Sequence, residues 1–110
     1  MIFKHDTVVF DLEAVNTNSI ELMTALHRQY RVIIISVLKE KERDSTHAWL
    51  ESVGVDMEGN LLVMRENDNG MLDEDFRDYA MKQIRESGYK VLLHFTEHEN
   101  SMFRTQDDLI

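Results

Sequence analysis

The apolar run Thr7-Val-Val-Phe10 delivers two carboxylates, Asp11 and Glu13, to the point where a strand would end. In an open α/β sheet, ligand sites form at the carboxyl ends of the strands, so these two acids are the first candidates for chemistry. A second acidic group is the densest in the chain: Asp73, Glu74, Asp75 and Asp78, with Glu66 and Asp68 just before it. Asp73 and Glu74 have a local explanation, since acids suit the positive end of a helix dipole. The functional reading is an acidic face that imitates phosphate spacing and occupies a nucleic-acid-binding protein.

His94-Phe-Thr-Glu97-His98 matches the His-x-x-Glu-His string of inverted zinc proteases. That motif needs both histidines on one helix. Here His94 follows the strand-like run Lys90 to Leu93, so the match is read as accidental. In a looser arrangement His94, Glu97 and His98 lie near Asp11 and together bind a transition metal, and such nitrogen–oxygen sites suit Zn²⁺ or Mn²⁺. The competing reading is exposed side chains on a short surface helix. His5, His27 and His47 have no partner visible in the sequence.

The elements that must position these residues alternate between strand and helix, and no proline interrupts them. The first strand is expected at about Asp6 to Leu12. Asn18, with Glu21 three residues on, resembles a capping box, and Ile20, Met23, Leu26 and Tyr30 follow at helical spacing. Arg31 to Ser36 is apolar on both faces, as a central parallel strand should be. A helix from about Glu40 is expected to turn Trp49, Leu50 and Val53 inward and to stop at Gly54. Leu61 to Met64 is a short third strand. Asp73 then caps a helix with Phe76, Tyr79, Ala80, Gln83 and Ile84 on one face, ending at Gly88. Lys90 to Leu93 is the fourth strand, and Thr96 to Arg104 reads as a final short helix. Such alternation gives a parallel sheet with right-handed crossovers. The order 3-2-1-4 fits, with the first strand internal. The expected class is α/β, a three-layer Rossmann-like sheet.

The totals narrow the function. The 110 residues, without repeats or linkers, are expected to make a single domain over 1–110. A hydrophobic fraction of 43% and a charged fraction of 30% describe an ordinary globule. The longest apolar run, Val32 to Ile35, is too short to cross a bilayer, and the first residues lack a signal-peptide pattern. Without cysteine there is neither a disulfide framework nor a thiolate metal site, so a cytoplasmic location is the expectation. The net charge is −9, from 12 basic residues against 21 acids, and that disfavours direct nucleic-acid and anionic-membrane binding. It would attract a basic protein partner. It would equally serve solubility alone.

From Thr7 to about Arg104 the chain resembles the phosphatase domain of polynucleotide kinase/phosphatases and their small phage relatives, within the haloacid-dehalogenase (HAD) superfamily. The carrying stretches are Val32-Ile-Ile-Ile-Ser36, Ala48-Trp-Leu-Glu-Ser-Val-Gly54, Leu61-Leu-Val-Met-Arg65 and Lys90-Val-Leu-Leu93. Met102-Phe103-Arg104 stands where relatives carry Met-Trp-Arg. The resemblance implies an HAD-like fold, here without a cap, since only Ala14 to Thr17 separates the first strand from its helix.

It also implies roles. Asp11 matches the nucleophile that attacks phosphorus. Glu13 stands where the general acid should be, and its extra methylene displaces the proton donor by about a bond length; a shift near 1 Å can cost on the order of a hundredfold. Ala14-Val15 replaces the usual Gly-Thr. Ser36 matches the phosphate-binding hydroxyl, but Val37-Leu38 follows instead of Gly-Arg. The stretch Arg65 to Arg77 keeps the frame of the third motif, with Met71 for an arginine and Arg77 for the lysine. That last exchange is not conservative at a point-charge site. At the fourth motif Asp-Asp-Arg has become His94-Phe95-Thr96, so no carboxylate remains where relatives hold Mg²⁺. A fold retained while its site is dismantled implies a pseudo-phosphatase that acts by binding a protein, such as a phage-type inhibitor or regulator of a basic nucleic-acid enzyme of a host. No cofactor is expected on that reading. If active, the chain would be a Mg²⁺-dependent phosphomonoesterase, a polynucleotide 3′-phosphatase or nucleotidase, using Asp11, Glu13, Ser36 and Arg77, with Glu97 as a metal ligand. A homodimer through free sheet edges is a third arrangement.

Overall fold

Strand β1 (Asp6–Asp11) is buried from Thr7 onward, because it has a parallel neighbour on each side and helices over both faces. The computed structural model of the chain describes residues 6–57, 60–66, 70–98 and 101–104; for Thr17, Glu97, His98 and Ser101–Arg104 it describes the backbone alone. Around β1 lie α1 (Thr17–His27), β2 (Arg31–Lys39), α2 (Arg43–Ser52), β3 (Leu61–Arg65), α3 (Asp73–Glu86), β4 (Lys90–His98) and β5 (Ser101–Arg104). The sheet order is β3-β2-β1-β4-β5. The first four strands are parallel in the expected order 3-2-1-4, and β5 adds antiparallel to β4.

Strand alternation divides the core in two. Val8 and Phe10 of β1, Val32 and Ile34 of β2, and Leu62 and Met64 of β3 face α1 and α2, where Met23 and Leu50 meet them. Val9, Ile33, Ile35 and Val91 face Phe76, Ala80, Met81 and Ile84 of α3. This is a three-layer α/β arrangement. Phe10 and Phe95 stack across β1 and β4 with centroids 4.4 Å apart and planes at 11°.

Both expected glycine stops are present. Gly54 and Gly88 have φ of +105° and +100°, and each ends its helix in a Schellman motif. The Val55 N–H donates to Leu50 O, and the Tyr89 N–H to Ile84 O.

Four expectations are corrected. The capping box is Asn16 with Ser19, not Asn18 with Glu21: Asn16 Oδ1 accepts the amides of Asn18 and Ser19, and Ser19 Oγ accepts the Asn16 amide. Trp49 is 44% exposed, because Thr46, Leu50 and Val53 take the inward line of α2 and Trp49 lies on its flank. Tyr79 is likewise half-exposed, since α3 buries Phe76, Ala80, Met81 and Ile84. The region expected as a final helix, Thr96 to Arg104, is instead the end of β4 and all of β5, which pair through Phe95↔Phe103 and His94↔Arg104. Non-local pairing overrides a locally helix-permissive stretch.

No helix among the described residues is long and apolar enough to cross a membrane.

Candidate functional site

Asp11 ends β1 at the carboxyl edge of the sheet, and a single 3-10 turn, Leu12–Ala14, carries the chain on to α1. Alternation turns Asp11 to the same face as Val9, toward α3. His94 of β4 pairs in register with Val9 and shares that face. Arg77 is near the start of α3. At 100° per residue it falls between Phe76 and Met81 within the buried stripe, so its side chain is directed at the sheet.

These positions converge. His94 Nε2 lies 2.7 Å from Asp11 Oδ1, and with a carboxylate as acceptor the ring nitrogen is the donor. Arg77 Nε is 3.7 Å from Asp11 Oδ2, an ionic contact too long for a hydrogen bond. The same guanidinium donates from an Nη to Glu13 Oε1 at 2.8 Å. Asp11 and His94 are 4% and 3% exposed, whereas the side chains of Arg77 and Glu13 reach water at 24% and 34%. The result is a linear chain, His94–Asp11–Arg77–Glu13, with two buried members and two at the rim.

Asp11, Glu13 and Arg77 are therefore brought together. Ser36 is not. Along β2, Ile35 and Val37 face α3, so Ser36 faces the opposite layer, and its fully buried Oγ accepts the Leu38 amide at 3.0 Å. Its hydroxyl serves the irregular end of β2, where the register to β3 shifts between Ile35 and Lys39.

Of the expected metal ligands, His94 spends its Nε2 on Asp11. Glu97 and His98 lie in extended backbone of β4, where residues three apart fall on opposite faces and residues four apart are separated by about 13 Å along the strand rather than by one helical turn, and their side chains lie outside the described residues. Among the described residues no group of three His, Cys, Asp or Glu is placed to hold a metal. A Mg²⁺ at Asp11 would need oxygen ligands where a guanidinium and an imidazole nitrogen now stand. The described residues do not fit the ion.

Of the acidic group, Asp73, Glu74, Asp75 and Asp78 are exposed along the first half of α3, and Asp68 lies outside the described residues. Asp73 Oδ1 accepts from Arg65 at 3.1 Å. Arg65 itself was not anticipated as more than a motif position. It is nine-tenths buried, stacked over the Phe76 ring at 5.1 Å. A buried strand ending in arginine was the available signal, since such a cation needs a partner.

No protein-family model matches this chain, no curated protein matches it significantly, and no solved structure does.

Proposed function

We propose that this chain is a catalytically degenerate phosphatase-fold protein of the HAD type, and that it acts by binding a protein partner. One observation carries the reading: the carboxylate in the nucleophile's place is occupied from within. Attack on phosphorus requires an exposed oxygen with a free lone pair and a substrate-side cation. Asp11 is buried, with one oxygen hydrogen-bonded to His94 and the other facing the Arg77 guanidinium, so the cation at the site is engaged by the protein's own carboxylates. Glu13, in the proton donor's place, is tied to the same guanidinium. Ser36, the phosphate-binding hydroxyl of the resemblance, belongs to the other layer.

The partner class follows from charge. At −9 the chain would be drawn to a basic surface, such as that of a nucleic-acid-handling protein, and repelled by the nucleic acid itself. A phage-type inhibitor or regulator of a host enzyme fits that description. The test is turnover of a generic phosphomonoester and of a 3′-phosphorylated oligonucleotide, with Mg²⁺ and again with Mn²⁺. The expected rate equals that of Asp11→Asn and of buffer. Hydrolysis that disappears in Asp11→Asn would establish the phosphomonoesterase instead.

A further inference from the structure

β3 is the outermost strand on its side of the sheet, and among the described residues its one ladder is with β2. Alternate residues of Leu61–Arg65 therefore point backbone N–H and C=O groups away from the sheet. Edge strands are ordinarily blunted by proline, lysine, a bulge or an inward charge. This one has neither proline nor lysine, its ladder to β2 is regular over Leu61–Val63, and it reads Leu-Leu-Val-Met before the buried Arg65 at its end, with Leu61 exposed.

Beside the edge, on the α3 side, lies a cleft of about 450 Å³ walled by Val63, Met64, Arg65, Met71, Phe76 and Tyr79. That size is within the range of side-chain and small-ligand pockets. Two walls have unmet capacity. Tyr79 leaves half its surface in water, and the buried Nε of Arg65 has no hydrogen-bond partner. The surroundings are acidic: Glu66 follows Arg65, and Asp73, Glu74 and Asp75 open α3, all exposed.

We propose that the β3 edge docks an extended basic segment of the partner protein. The segment adds as a sixth strand beside β3, sets one large apolar side chain in the cleft, and presents Lys or Arg to the acidic rim. In this mode backbone bonds supply affinity and alternate side chains supply specificity. A second copy of the chain fits less well, since it would bring the same −9 charge to the same rim. The inference rests on the binding function proposed above and adds its place and its chemistry.

The test uses the isotope-labelled full chain and the acetylated, amidated peptide Lys-Val-Lys-Phe-Lys-Val-Lys. Binding is expected to shift the amide signals of Leu61–Arg65 and to slow their exchange. An analogue with Glu for every Lys, and one N-methylated at alternate amides, are each expected to bind about tenfold or more weaker, the loss of one hydrogen bond or ion pair being worth about that factor. Gln83→Trp, an exposed position on the cleft wall, should weaken binding while leaving the melting temperature unchanged. The proposal is overturned if no binding occurs, if the shifts map elsewhere, or if the N-methylated peptide binds equally. It is also overturned if sedimentation shows a dimer that Leu61→Lys dissolves. Phosphatase turnover would defeat the preceding section and leave the peptide result standing; absent peptide binding would defeat this proposal alone.

Discussion

Replacing Arg77 isolates the interaction that makes Asp11 tolerable in the core. Burial of an ionised carboxylate costs several kcal/mol unless it is paired, and Asp11 is 4% exposed. Across the 3.7 Å contact, Coulomb's law at an effective dielectric of about 20 gives about 4 kcal/mol. Arg77 is a quarter exposed, so water screens the pair and the side chain loses rotamer freedom. Halving the figure leaves about 2 kcal/mol for Arg77→Gln, a fall in melting temperature of about 8 °C for a domain of this size. Asp11→Asn should cost a similar amount, because it removes the charge opposite Arg77 and leaves His94 only a neutral amide oxygen to donate to. The double variant should be less damaging than the sum, with a coupling energy of about 1.5 kcal/mol, whereas Glu13→Gln at the rim should cost under about 1 kcal/mol. Urea denaturation of the four proteins measures this cycle. Coupling below about 0.5 kcal/mol would refute the reasoning. So would an Asp11→Asn variant more stable than the parent, since sites kept for catalysis are commonly held against stability.

Asn16→Ala removes the acceptor of the Asn18 and Ser19 amides, and should destabilise the fold by about 1 kcal/mol in denaturant titrations. Gly54→Ala and Gly88→Ala should each cost about 1–2 kcal/mol through the positive φ alone, for neither new methyl would clash; a neutral result would mean those turns relax. The Arg43 side chain, bonded to Glu40, holds the Glu40 carboxyl below its ordinary range. Its contribution is therefore present above the unfolded carboxyl's titration and is lost as pH falls through the folded one. In carboxyl-detected NMR titration, Arg43→Gln should move the Glu40 midpoint upward.

Particular residues show how far the sequence could be read. Ile33, Ile34 and Ile35 are apolar on both faces, which marks β2 as internal from the sequence itself, and Val8, Val9 and Phe10 do the same for β1. Arg77 was reached only through the motif frame, and its pairing with Asp11 and Glu13 came from the structure; those two acids, at the strand's end, were readable from position. Ser36 was not. Motif position brought it to the site, but its side of the sheet and the Leu38 amide took it away. His94 was seen as a possible ligand, while its actual role, hydrogen-bonding the buried carboxylate, depends on the register Val9↔His94.

Local chemistry thus marked β1, β2, β3 and the first half of β4 as strands and the glycines that halt the helices, and the alternation of strand with helix fitted the parallel order 3-2-1-4. Tertiary packing decided the phase of each element. Periodicity announces that α3 has an apolar stripe, but its observed centre lies about 60° from the expected one, enough to turn Arg77 inward and Tyr79 out. The stretch after His94 became strand because β5 offered it a ladder, a contact between residues that no local window compares. Both decisions follow from the same cause: side chains choose their neighbours by volume and charge across the sheet, and those neighbours are distant in the chain.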